Sequence, residues 1–341
     1  MHMADALLSP TVGGAMWTVT AAATVYCSRK IQQEMDDGKV PLMGVLGAFI
    51  FAAQMINFTI PGTGSSGHLG GGLILAVLLG PHAAFLVMAS VLTVQALFFA
   101  DGGLLALGAN IFILGFIPCF LAYPFVYQPL AGNGRKQGRR LSAALAAAVA
   151  GLQLGSFGVV LQTVLSGISE LPFTSFLMLM QPIHLAIGIV EGLATAALIS
   201  SVRQAQPEIL PPHMHPDQPQ KTHPGKVLVA LAATALVTGA AFSWFASTQP
   251  DGLEWSIARL TGTEELRHSA GNIHQNLARL QGITSFLPDY GFRSVAEANA
   301  TPEPLSSRPT VDPGSSVSGV LGGLLTLLMV SGAGWLLRRR G

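Results

Sequence analysis

The chain has 341 residues, of which half are hydrophobic and 10% charged, with a formal net charge of +1. Soluble domains carry about 25% charged residues, so a chain this poor in charge cannot clothe its surface in polar groups, and lipid must be the solvent for much of it. The near-zero net charge argues against a nucleic-acid partner. Cys27 and Cys119 sit inside apolar runs, without ligand spacing or a disulfide framework, and read as buried thiols.

The chain opens MHMADALLSP. There is no basic stretch followed by an apolar core and a small-residue cleavage site, so this segment is expected to stay. The bulky second residue, His2, disfavours methionine removal, which would leave Met1 in place with a free α-amine. Apolar stretches then follow at 12–28, 41–58, 69–80, 82–99, 104–127, 140–168, 176–202, 226–246 and 317–337. A spanning helix needs about 20 apolar residues and ~17 at the short end. The 69–80 stretch is short for this, unless it is tilted or buried among its neighbours. The expectation is nine spans.

Lys and Arg gather in cytoplasmic loops. With the N-terminus outside, the inner connections hold Arg29, Lys30 and Lys39, then Arg135, Lys136, Arg139 and Arg140, then Arg203, Lys221 and Lys226, and finally Arg338, Arg339 and Arg340. The other five (Arg259, Arg267, Arg279, Arg293 and Arg308) lie in one long segment, 247–316, where the rule is weak. The pattern predicts an extracytoplasmic N-terminus and a cytoplasmic C-terminus. It describes an all-α polytopic membrane protein in three parts. Residues 1–203 form a seven-span module and 204–224 a Pro/His-rich cytoplasmic linker. Residues 225–341 form a two-span hairpin module with a small extracytoplasmic domain at 247–316.

Met1-His2 carries the sharpest chemistry. A free amine, the next amide nitrogen and the His2 ring Nδ1 can close fused chelate rings around one ion. A fourth nitrogen would complete a square plane, which suits Ni(II) and Cu(II), and binding would release protons. The candidate fourth ligand is His68, in the glycine-rich stretch IPGTGSSGHLGGG (60–72) expected on the same side. The alternative for His68 is an incidental histidine on a flexible surface loop.

Other polar residues interrupt apolar segments, where they are costly and often functional. Asp5, Gln95, Asp101 and Asn110 are candidates for supporting or pathway roles, although Asp101 also reads as a solvated turn acid. His184 and Glu191 are seven apart and share a helix face. They could relay protons, form a second metal stop or simply tie helices together. His213, His215 and His223 in the linker could hold metal weakly. No G-x-x-x-x-G-K-[ST], H-E-x-x-H or G-x-S-x-G sequence occurs, so the chain has no Walker nucleotide site and none of the common hydrolase motifs.

These residues resemble a known family. MHMADALLSP resembles the MHIxDGFLSP start of the CbiM/NikM cobalt/nickel substrate-binding subunits of energy-coupling-factor transporters. GSSGHLGGG resembles their GTSGHLLGG loop, and VQALFFADGGLLALGAN and HLAIGIVEGL match two further stretches. The second module resembles the small CbiN/NikN companion through PDGLEW (250–255) and FLPDY (286–290). The resemblance covers nearly the whole chain. It departs at Ala6 and Ala100, where the family commonly has glycine.

The resemblance implies a seven-helix module that binds the ion through the Met1 amine, the His2 amide and ring nitrogens, and a His68 ring nitrogen. It implies transported Ni²⁺ or Co²⁺ with no permanent cofactor, leaning toward nickel. The implied setting is a bacterial cytoplasmic membrane and nickel supply or cobalamin biosynthesis. Implied partners are a transmembrane coupling subunit and cytoplasmic ATPase subunits of Q and O type, with the second module promoting metal loading. The chain itself is then not an enzyme. The competing readings are an intramembrane metalloenzyme built on His184 and Glu191, and a metal sensor that does not transport.

Overall fold

In the computed structural model, residues 2–34, 38–132, 136–205, 225–264, 266, 271–292 and 312–339 are described. Helices fill every one of the nine apolar stretches. They are α1 (Pro10–Glu34), α2 (Lys39–Gln54), α3 (Gly72–Leu79), α4 (Pro81–Phe98), α5 (Leu107–Ala131), α6 (Gln137–Ser166), α7 (Phe173–Ala205), α8 (Gly225–Ala240) and, after two short helices described below, the C-terminal Pro313–Arg339. Five of them, α4 to α7 and the C-terminal helix, are long and apolar enough to cross a membrane. The chain is a mostly helical, polytopic membrane protein.

The helix starts follow local chemistry. Pro10 and Pro81 occupy first-turn positions, where a missing N–H costs nothing. In α1, Thr18, Thr20 and Thr24 each donate to the carbonyl four residues back, so their hydroxyls need no water. The middle of α5, Phe112–Tyr127, is wound as a π-helix with Pro118 and Pro124 inside it. Proline removes a donor and crowds the preceding turn, and the wider winding accommodates it.

Two expectations need correction. The third apolar stretch does not hold a full-length spanning helix. Helix α3 has eight residues, about 12 Å, and all of them are buried. It is a half-helix enclosed by protein, joined to α4 through Gly80 at φ 79°. Nor is the chain all-α. Phe58–Ile60 (β1) and Ser65–Gly67 (β2) form an antiparallel hairpin, with Thr59 opposite Ser66.

The second module contributes α9 (Gly252–Thr261), α10 (Asn272–Thr284) and α11, the helix Pro313–Arg339. It is packed on the first module. Small residues let the backbones close up, as is usual in membrane interiors. Gly44 and Gly47 of α2 face Ser331, Thr326 and Val330 of α11, Gly322 faces the Phe51 ring, and Gly239 of α8 meets Gly319 backbone to backbone.

At one end of the bundle the loops of both modules interlock. Ser66 N–H donates to Pro250 O (2.8 Å) and Ser247 N–H to Asn57 O (2.7 Å), while Leu287 N–H and Asp289 N–H reach Phe98 O and Phe99 O (3.3 and 2.8 Å). The residues described in these loops include no Lys or Arg.

A Cβ added at Gly319 would collide with the Gly239 backbone. Gly319→Val should therefore lower the unfolding midpoint in detergent by the equivalent of about 1–3 kcal/mol, the usual cost of overpacking. An unchanged midpoint would mean that α8 and α11 do not close on each other in this way.

Candidate metal centre

The N-terminal segment enters the end of the bundle and is clamped there. Met3 N–H donates to Asn110 Oδ1 (2.8 Å), and Asn110 Nδ2 donates back to Met3 O (3.1 Å). Gly103 N–H also reaches Met3 O (3.0 Å). Asp5 Oδ1 accepts the Ala106 N–H (3.0 Å) just ahead of α5, where a carboxylate complements the helix dipole. His274 of α10 donates from Nε2 to Leu8 O (2.9 Å). Residue 1 lies outside the described residues, so the Met1 expectation has no geometry here.

This clamp brings the His2 ring to His68. The two imidazoles stack with centroids 5.1 Å apart and planes inclined by 14°. His2 Nδ1 faces Asp101 Oδ1 at 3.1 Å, and its buried Nε2 has no hydrogen-bond partner. His68 is not an incidental histidine on a surface loop, for it is buried directly after β2. Its Nδ1 is 3.0 Å from Leu69 O. A carbonyl only accepts, so the proton is on Nδ1 and the lone pair on Nε2, the arrangement of a ligating histidine with its second nitrogen tied. Burial, above all, holds the His68 pKa down to about 3 from 6.5, so the ring is neutral at physiological pH, as a metal requires.

Glycines put the His68 loop against the helices. Glu191 of α7 accepts from Gly70 N–H (2.7 Å) and Gly71 N–H (3.2 Å), which is why α3 begins at Gly72. Gln54 Nε2 donates to Gly70 O (2.8 Å), and Gln95 Nε2 to Gln54 Oε1 (2.9 Å). His184 sits one face-length away. Its Nδ1 donates to Met180 O (2.7 Å) and its buried Nε2 has no hydrogen-bond partner. A cavity of about 10 Å³ lies between His68, His184, Gly67 and Gly252, near the size that holds one water. His184 and Glu191 therefore share a buried face but serve different partners.

Asp101 is not a solvated turn acid. It is part-buried between His2 and Tyr290, whose O–H donates to Oδ2 at 2.5 Å. Burial works against its ionisation, but His2 and the phenol hold its carboxyl below the usual range. A cavity of about 330 Å³ opens beside His2 and is bordered by Asp5, Asp101, Asp251, Glu254, Glu264 and Asp289. Such a lining raises the local concentration of cations. Among the described residues, no group of three His, Cys, Asp or Glu side chains is arranged to hold an ion. A metal at His2 and His68 therefore calls for main-chain nitrogens as well. Cys27 and Cys119 are buried free thiols, and His213, His215 and His223 lie outside the described residues.

Sequence reasoning missed Gln54, His274 and Gln281, and it quoted Asp251 and Tyr290 only inside the PDGLEW and FLPDY motifs without singling either out. Asp251 had a further readable signal. D-G-L-E is a capping box, and Asp251 Oδ1 accepts from Leu253 and Glu254 N–H while Glu254 Oε2 accepts the Asp251 N–H.

Residues 2–209 match the family described as the cobalt uptake substrate-specific transmembrane region, CbiM, and residues 225–339 match the PDGLE domain. A putative fused nickel transport protein, NikMN, from Archaeoglobus fulgidus is 31% identical over 340 residues, covering 96% of each chain. The cobalt transport protein CbiM of Geobacter sulfurreducens is 31% identical, covering 62% of this chain and 61% of that one. The crystal structure of a transition metal transporter superposes with a TM-score of 0.54 at 27% identity, covering 61% of this chain and 95% of that one.

Glu191→Ala would leave two buried glycine N–H groups without an acceptor, at about 1–3 kcal/mol each. Amide exchange at residues 68–72 should accelerate, with Glu191→Gln intermediate because one acceptor oxygen remains. Exchange that stays at the native rate in Glu191→Ala would show that the carboxylate does not hold this loop.

Proposed function

The chain belongs to the family of cobalt uptake substrate-specific transmembrane regions, with a PDGLE domain behind that region, and from that premise we propose that it is the metal-capturing membrane subunit of an energy-coupling-factor importer for nickel or cobalt. One observation carries this reading: the His2 ring lies flat on the ring of His68, inside the bundle, at the end of a clamped N-terminal segment. Two imidazoles 66 positions apart in sequence are brought within reach of a single ion. The missing donors are the nitrogens that a free terminus supplies: the Met1 amine and the His2 amide. A plane of four such nitrogens favours low-spin nickel, and the fused relative in Archaeoglobus fulgidus is a putative nickel transport protein.

In this proposal the first seven apolar segments form the capture module, and the last two helices, with the segment between them, form a loading module. The interlocked loops, whose described residues include no Lys or Arg, are extracytoplasmic, and the basic ends of the helices face the cytoplasm, in keeping with the charge rule. The acidic vestibule draws the hydrated cation to His2. Transport energy comes from partners, a membrane coupling subunit and cytoplasmic ATPase subunits.

The test is one extra residue ahead of Met1, compared with the native chain for nickel and cobalt binding and for uptake in cells carrying the coupling and ATPase subunits. Capture should be lost because the amine moves out of chelate reach. Native binding should weaken as pH falls, since the His2 amide must give up its proton while His68 stays neutral to about pH 3. Undiminished binding by the extended chain would remove the terminus from the ligand set. Native binding without accumulation in those cells would leave a sensor.

A further inference from the structure

Away from the metal centre, the two modules leave a cleft between their helices. Walls from α1, α2, α4 and α5 of the first module and α11 of the second enclose about 490 Å³, a volume typical of a site for one small molecule or chain. Trp17, Thr24, Leu86, Thr93, Ala333 and Leu337 line it, and it opens sideways, because Trp17, Ala333 and Leu336 are exposed. Most of its polar groups are already satisfied. Thr24 donates to Thr20 O (2.7 Å), Ser90 to Leu86 O (2.9 Å) and Thr93 to Ala89 O (2.7 Å), while the Trp17 indole donates to Leu104 O (3.0 Å). An occupant finds little to hydrogen-bond, so the cleft suits hydrocarbon and not water.

The depth and the mouth of the cleft say which hydrocarbon. On α1 the lining runs from Trp17 to Ser28, about 16 Å by the helical rise. That is roughly half of a hydrocarbon core about 30 Å thick, so the cleft is one leaflet deep. A transmembrane helix of a partner would need a groove through both leaflets. At the mouth the chain is basic. Arg29 and Lys30 follow Ser28 on α1, Lys39 opens α2, and Arg338 and Arg339 close α11, with Glu34 as the one carboxylate among the described residues of these helix ends. Counting Asp36, Asp37 and Arg340, which lie outside the described residues, the excess stays positive. The Arg339 guanidinium rests on the Trp335 ring, 3.8 Å from its centroid, and tryptophan gathers at headgroup level.

We propose that this cleft binds an anionic phospholipid from the leaflet at the basic end, with an acyl chain between α1, α4 and α11 and the phosphate among the basic helix ends. Basic clusters beside clefts between spanning helices recognise such headgroups. By the orientation proposed above, this is the cytoplasmic leaflet. The lipid joins the two modules at one end of the bundle, as the loops join them at the other. The site does not depend on metal.

The experiment uses the full chain in detergent, stripped of lipid and titrated with phosphatidylglycerol or with phosphatidylcholine of the same acyl chains. Native mass spectrometry counts bound lipid, and the unfolding midpoint is followed in parallel. One phosphatidylglycerol should be retained about 10-fold more tightly than phosphatidylcholine, and it should raise the midpoint. Arg338→Gln combined with Arg339→Gln should cut that preference to within about threefold. Ala333→Phe and Ala89→Phe fill the cleft from α11 and α4. Each should weaken retention of both lipids by about 10-fold, the equivalent of roughly two buried methylenes, without lowering the lipid-free midpoint. If either does not fold, Ala333→Leu and Ala89→Leu carry the same comparison. Equal binding of the two lipids by the native chain would overturn the headgroup assignment. A preference for phosphatidylglycerol that survives both fillings would put the lipid elsewhere and overturn the cleft. So would a block of assembly with the coupling subunit in Ala333→Phe at unchanged lipid retention, which would make the cleft a protein interface.

Discussion

A buried peptide backbone must have its N–H and C=O groups paired, and in a membrane protein water is rarely there to help. The first residues of this chain meet that demand through one side chain. Asn110 offers an acceptor to Met3 N–H and a donor to Met3 O, so its amide imitates the edge of a strand. Gly103 adds a second donor to Met3 O, and Asp5 answers the Ala106 N–H. Gly103 cannot carry a side chain, because a Cβ there would fall on the Asp5 carboxylate. The position of His2 follows from these bonds, so the fold of the 103–110 segment and the geometry of the His2–His68 pair are one set of contacts.

The His68 side of the centre is built on a different economy. A carboxylate among apolar helices is costly unless hydrogen bonds compensate it, and Glu191 takes its compensation from Gly70 and Gly71. The glycines around His68 are there for close approach. Gly71 has φ 78°, and a Cβ at Gly70 would press on Glu191, at Gly67 on Ile187, and at Gly72 on Leu114 O and Pro118. What looks in sequence like a pliable loop is a close-packed one, with His68 delivered by a hairpin whose register is fixed through Thr59 and Ser66.

That contrast marks how far the sequence could be read. Apolar run length and the Lys/Arg distribution report which solvent a segment meets, and run length located all nine helical regions, while the family was legible from short motifs. They are silent on what one loop does to another. The 69–80 stretch was apolar enough for a span, but only the bonds from Glu191 reveal why its helix starts at Gly72. The meeting of His2 with His68 was legible because the family motifs carry both residues. Asp101 stayed open between a supporting role and a turn acid because its partners, His2 and Tyr290, lie 99 and 189 positions away. Gln281 and His274 sit in an amphipathic helix, and Tyr290 in the turn after it, with no local pattern that points to the N-terminus. The departure at Ala100 was visible, and its meaning was not. A position at φ 57° suits glycine, and this chain holds an alanine there under strain.

The two modules meet through two kinds of contact with different tolerances. In lipid, apolar helices gain little from burying one another, and small-residue interfaces rest on close packing. A stripe such as Gly44, Gly47, Gly322 and Gly334 along the α2–α11 contact presents similar surfaces at successive turns, so it discriminates poorly against a slide of one turn, about 5.4 Å. The polar contacts at the loop end discriminate sharply, because a hydrogen bond is lost within a fraction of that distance. Ser247 with Asn57, Ser66 with Pro250, Asp289 with Phe99 and Gln281 with Gly102 therefore set the register of the second module. Those same loops carry His68, Asp101 and the approach to His2. Any displacement of the second module along its helices must break bonds that end on the loops around His2 and His68 before it disturbs the helix packing. The fused arrangement thus couples the position of one module to the shape of the site in the other.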